Sequence, residues 1–154
     1  MELSRLTQLE ILDLSNWYLK LESLDLKELV GNLANLRELY LDRVSISLKG
    51  SEWCSALSSS LPKLRVLPMT HYNILGPLDP VLLNLYFLSV IRLGSNDLST
   101  MVPDFLANFS KLITLSLRCC NLRALAASKL PRELGFYAFS DSLTRRRAFS
   151  ALSL

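Results

Sequence analysis

The sequence predicts an α/β repeat protein: a curved parallel sheet of about five short strands, backed by an irregular or short-helical convex side. Three observations lead there. An apolar phrase of eight residues recurs five times, at steps of 27, 28, 24 and 24 residues. A fixed-period echo of this kind marks a chain assembled from stacked supersecondary units. Within each phrase the first and third places are apolar while the second is Asp, Tyr, Pro, Arg or Ser, the alternation of a strand with one buried face. Half of the 154 residues are apolar, enough to give one domain a continuous core.

The five phrases, in order, are LDLSNWYL from Leu12, LYLDRVSI from Leu39, LPMTHYNI from Leu67, IRLGSNDL from Ile91 and LSLRCCNL from Leu115. Each has a leucine three residues before its start: Leu9, Leu36, Leu64, Leu88 and Leu112. The shared pattern, L-x-x-L-x-L-x-x-N/C-x-L, is the leucine-rich-repeat signature. One such strand buries too little to stand alone, so the copies must stack as a solenoid around a common core. At place six an Asn is positioned to bond backbone groups in the turn that leaves the strand, where each unpaired buried polar group costs roughly 1–3 kcal/mol. Asn96 and Cys120 suit such a structural Asn/Cys ladder; Trp17, Val44 and Tyr72 do not, which predicts a less regular N-terminal half. Pro68 stands inside the third strand and has no N–H to donate, so one ladder bond is expected to be missing there.

The connections divide the chain further. The insertion at 20–35 carries Leu24, Leu29 and Leu33 and predicts one or two helical turns. The insertion at 47–62 predicts a short helix over SEWCSAL with Ser51 as N-cap, followed by a loop through SSSLP. Beyond Leu122 the phrase stops. Residues 1–122 hold 11 basic and 12 acidic side chains, whereas 123–154 hold 6 and 2. The reading is therefore a repeat domain over 1–122 and a basic tail over 123–154 with no predicted structure.

Several function classes are disfavoured. The longest apolar run, Pro80–Ile91, contains Asn84 and is shorter than the ~18 residues of a membrane span. Glu2, Arg5 and Glu10 lie where a signal peptide would be apolar. The expectation is an internal piece of a longer chain, with any membrane attachment made by an anchor absent from this one. Three cysteines, one histidine and no C-x-x-C pair give no metal-site spacing, and no cofactor is expected. His71 reads as a surface residue without catalytic companions. Arg145, Arg146 and Arg147 read as a solvated charge run, and no nucleic acid partner is expected. An enzyme is not expected.

A binding surface is. With the leucines of each strand turned inward, the residues between and beside them must face outward. Those columns contain Tyr40, Asp42, Arg43, His71, Arg92 and Arg118, and Tyr and Arg are enriched among binding hot spots. These six are the candidate partner-binding residues of the concave face.

NLRELYLDRVSIS, SEWCSALSSSLPKLRVL, LSVIRLGSNDLS and VPDFLANFSKLITLSLRCCNL together resemble an internal ectodomain piece of a plant leucine-rich-repeat receptor-like protein of the disease-resistance type. ILGPLDPVLLNL and LSTMVPDFLANF are similar to the L-x-G-x-I-P half of the plant-type repeat, with Asp79 in place of Pro and Thr100 in place of Gly. The resemblance implies a glycosylated ectodomain at the extracellular side of the plasma membrane. It implies a peptide or protein ligand and a co-receptor kinase, in defence or developmental signalling. In that context the sequon Asn108-Phe109-Ser110 implies glycosylation at Asn108. It also implies a Cys, partnering Cys54, where this chain has Tyr72, so Cys54 is expected to be a free thiol. The other readings are an intracellular repeat scaffold, a receptor-kinase ectodomain piece, a secreted inhibitor of a cell-wall enzyme and a non-functional gene fragment.

Overall fold

The computed structural model describes residues 5–15, 26–44, 50–71, 74–99, 102–122 and 135–136. The L-x-L cores form strands because alternate leucines can share one buried face. They are β1 (Ile11–Asp13), β2 (Glu38–Tyr40), β3 (Val66–Pro68), β4 (Val90–Arg92) and β5 (Thr114–Ser116). A sixth strand, β6 (Gly135–Phe136), lies in the tail, and all six pair in parallel in sequence order. The tail therefore contributes a strand without an L-x-L phrase. Backbone pairing along the side of β5 needs only an extended dipeptide, at Thr114↔Gly135 and Leu115↔Phe136.

Equivalent places pair across the seams. Ile11, Leu12 and Asp13 lie opposite Glu38, Leu39 and Tyr40. Val66, Leu67 and Pro68 lie opposite Val90, Ile91 and Arg92, which in turn lie opposite Thr114, Leu115 and Ser116. Between β2 and β3 the pairing contracts to Glu38↔Val66. Pro68 accounts for the contraction. The Val66 N–H donates to Arg37 O on the β2 side, and the Met69 N–H to Arg92 O on the β4 side. Donors alternate along a strand, so position 68 should donate toward β2 and has no hydrogen to give.

The core lies behind the sheet. Leu12, Leu39, Leu67, Ile91 and Leu115 are buried, as are Leu41, Met69, Leu93 and Leu117 two residues on. β2, β3, β4 and β5 then leave the sheet through a left-handed residue: Arg43, His71, Ser95 and Cys119 have φ of 63°, 56°, 59° and 55°. The turned backbone is held by the next strand, with the Arg43 N–H donating to Thr70 O, His71 N–H to Gly94 O and Ser95 N–H to Arg118 O, at 2.9, 3.0 and 2.7 Å.

What backs the sheet changes along the chain. In the two longer repeats it is α1 (Leu26–Val30) and α2 (Gly50–Ser60). In the two 24-residue repeats it is a 3₁₀ turn, at Pro80–Asn84 and Asp104–Asn108. α2 departs from expectation at both ends. It begins at Gly50, so Ser51 is inside the helix rather than its N-cap, and Ser58–Ser60 are helical rather than loop. The reason is tertiary. A Cβ at position 50 would lie 1.9 Å from Pro77 O, so glycine alone admits this close approach. Trp53, Cys54, Leu57, Ser60 and Leu61 form one buried stripe, which overrides the weak helix propensity of the serines.

Candidate functional site

The outward places carry the six candidate residues, and the sheet sets them in rows. Asp13, Tyr40, Pro68, Arg92 and Ser116 share one row. Asp13 and Arg92 are exposed, Tyr40 is half-buried, and Pro68 is buried between its neighbours in the row. The Tyr40 hydroxyl donates to Glu38 Oε2 at 2.7 Å. Its pKa is raised, first by that bond to Glu38, then by burial and by the negative charges of Glu38 and Asp13, while Arg92 pulls it down. Tyr40 thus stays a neutral donor whose phenol lies in the field of β1 and β2.

Two residues farther along, Ser15, Asp42, Thr70, Gly94 and Arg118 form the next row. Asp42 is engaged within the molecule. Its Oδ1 accepts from the Thr70 N–H at 2.7 Å and from the Thr70 hydroxyl at 2.6 Å, while its own N–H donates to Ser15 Oγ at 3.2 Å. It braces three consecutive strands and is only half-exposed. Arg118, Arg43 and His71 are exposed, the last two on the left-handed turns at the strand ends. The structure therefore gathers Tyr40, Arg92 and Arg118 on the sheet surface, sets Arg43 and His71 along its rim, and gives Asp42 a structural task.

Asn96 and Cys120 lie on the other side of those turns and are buried. The Asn96 amide donates to Met69 O and Leu93 O, both at 2.8 Å, and its Oδ1 accepts from the Ile74 N–H at 3.2 Å. The Cys120 thiol donates to Leu93 O at 2.9 Å. Burial pushes its pKa up to about 11, which keeps the proton that makes the bond. At the equivalent place in the second repeat, Val44 is fully buried and packs where a polar side chain would otherwise bond.

Cys54 is a free, buried thiol; position 72 lies outside the described residues. Its Sγ accepts the Asp79 N–H at 3.4 Å, and burial pushes its pKa up to about 12. In turn the Asp79 carboxylate caps the 3₁₀ turn by accepting the Val81 N–H at 2.8 Å. The following repeat has Pro103 at this cap, which has no N–H to satisfy. Asn108 ends the second 3₁₀ turn and is exposed, as is Ser110. A separate feature lies at the N-terminal ends of β4 and β5. Tyr86, Phe87 and Ile113 are exposed there, with Lys111 Nζ 4.4 Å from the centre of the Phe87 ring.

Sequence reasoning overlooked the bracing role shared by Ser15, Asp42 and Thr70. An acid flanked by hydroxyls at one place of three successive repeats was the available signal. It also overlooked the acceptor role of Cys54, for which no local pattern exists.

No protein-family model matches the chain, and no curated protein matches it significantly. Among the described residues no helix is long and apolar enough to cross a membrane.

Proposed function

We propose that the chain is a leucine-rich-repeat solenoid of plant receptor-like type, and that it binds a peptide or protein partner across the concave face of its sheet. In this reading it is a binding module and not an enzyme. It belongs to a cell-surface receptor that signals through a co-receptor kinase in defence or development, with a glycan on Asn108. One observation supports the reading above the others: equal places of repeats 24 to 28 residues apart pair across the sheet. That register turns scattered residues into continuous rows on one face. Rows of this kind present a wide surface rather than a cleft, the geometry with which stacked repeats engage extended partners.

A random dodecapeptide library displayed on phage and panned against the full chain tests it. Enriched peptides should lose binding at least tenfold to the variant Tyr40→Ala/Arg92→Ala/Arg118→Ala, with its circular dichroism spectrum unchanged. Enriched peptides indifferent to that variant would overturn the assignment of the face.

A further inference from the structure

Charge on the outward face is sorted by strand. Around β1 and β2 stand Glu10, Asp13, Glu38 and Asp42, against Arg37 and Arg43. Arg37 and Glu10 pair with each other, Nη2 to Oε1 at 3.4 Å, which leaves Asp13, Glu38 and Asp42 against Arg43. The outward places of β4 and β5 hold Arg92 and Arg118 and, among the described residues, no carboxylate. Between the two sectors, β3 presents Val66 and Pro68 beside Val90 and Gly94 of β4, together with Thr70, whose hydroxyl is taken up by Asp42, and His71 at the rim. The face is thus acidic on one flank and basic on the other, with an uncharged middle whose row at Val66 and Val90 is apolar.

Distance keeps the flanks independent. Strands in a sheet are ~4.8 Å apart. Asp13 and Arg92 occupy one row three strands apart, as do Asp42 and Arg118 in the next, so each pair is separated by roughly 14 Å. The screening length at physiological ionic strength is about 8 Å, so neither flank neutralises the other. The hydrogen bonds that occupy Glu38 and Asp42 come from the neutral donors Tyr40 and Thr70. Neither of these bonds brings a cation to the carboxylate.

We propose that the partner of this face is an extended peptide segment lying across the strands, with a basic side chain over Asp13 and Glu38, an apolar one over Val66 and Val90, and an acidic one over Arg92 and Arg118. An extended chain rises ~3.3 Å per residue, so its opposite charges are about four residues apart. A polyanion such as nucleic acid is repelled by the β1–β2 flank. A uniformly basic segment is repelled by the β4–β5 flank. The inference rests on the sheet-face reading above and adds the partner's charge order to it.

The peptides enriched on the full chain provide the test. They should carry Lys or Arg and Asp or Glu about four residues apart, joined by apolar residues. The variant Arg92→Glu/Arg118→Glu should weaken a synthetic copy of one such peptide at least tenfold. Replacing that peptide's acidic residues with Lys should restore binding to the variant. Peptides that lose binding to the alanine variant yet show no separation of charge would overturn the charge order and leave the face intact. So would indifference of the peptide to Arg92→Glu/Arg118→Glu. Enriched peptides unaffected by the alanine variant would remove the face, and this proposal with it.

Discussion

Between β4 and β5, whose phrases start 24 residues apart, three positions pair, and Asn96 and Cys120 each donate to the carbonyl of Leu93. Between β2 and β3, 28 residues apart, one position pairs, and Asp42 reaches across the outward face to Thr70. The two seams solve the same problem from opposite sides of the sheet. In the short repeats the polar brace is buried, behind the turn. In the 28-residue repeat Val44 fills that place, the brace moves to the surface, and the additional residues form α2, whose buried Trp53 supplies apolar contact instead. A repeat of this kind tolerates degeneration of its signature when either packing or an alternative hydrogen bond replaces what was lost.

The largest expected effect tests the packed half. Trp53 is fully buried, so Trp53→Ala should destabilise the chain by about 3–5 kcal/mol in urea unfolding. Its indole N–H has no hydrogen-bond partner among the described residues. Trp53→Phe should therefore cost far less, about 1 kcal/mol. A large loss from Trp53→Phe would break the claim that α2 acts through apolar contact.

Next comes the bonded half. Asn96→Ala removes partners from Met69 O, Leu93 O and the Ile74 N–H and should cost about 2–3 kcal/mol. Asp42→Ala, at a half-exposed brace, should cost about 1 kcal/mol. The ratio of the two unfolding free energies sharpens the contrast between buried and surface bracing. Equal values would erase it.

A smaller effect follows pH. Cys54 and Cys120 are held at about 12 and about 11 against an ordinary value of 9.0. Raised values mean that the fold favours the neutral thiols. Their contribution is complete below pH 9, where the unfolded thiols are also protonated, and is lost as pH rises from 9 toward 11 and 12. At pH 10 each should remove about 1 kcal/mol, measured as a fall in the urea midpoint between pH 8 and pH 10. Cys54→Ala should flatten that fall. In the native state Cys119, which is exposed, should react first with a maleimide, with Cys54 and Cys120 following on unfolding.

The smallest separates the two 3₁₀ caps. Asp79→Ala loses one capping bond and should cost about 0.5–1 kcal/mol. Asp104, already inside the second turn, should matter less when replaced by Ala. The same urea titration compares them.

The strands were legible because a period of two and a fixed leucine spacing survive any choice of surface residue. Leu12, Leu39, Leu67, Ile91 and Leu115 mark them without help from the fold. The shortened seam at β3 was legible too, since Pro68 lacks a donor in any context. The span of α2 was not, because Ser58–Ser60 become helical through the packing of Leu57 and Leu61 and not through their own preference. The surface candidates were legible as positions but not as roles. Strand alternation placed Asp42 outward, yet its bonds to Ser15 and Thr70 join residues 27 and 28 apart, a relation that exists only once the strands stack. β6 was hidden for the same reason, as a pairing made by backbone alone.

The left-handed turns at Arg43, His71, Ser95 and Cys119 act as a sieve on change. An L-residue held in that conformation costs roughly 1–2 kcal/mol, and Asn, Asp and Gly tolerate it best. Substitutions to Val, Ile or Thr at these four positions should be rejected by the fold whatever they would do for a partner, because branching at Cβ clashes with the turned backbone. The rim is therefore free to vary in charge and polarity but not in shape near the chain. Variation aimed at new partners can pass through Arg43 and His71 only as unbranched or small side chains.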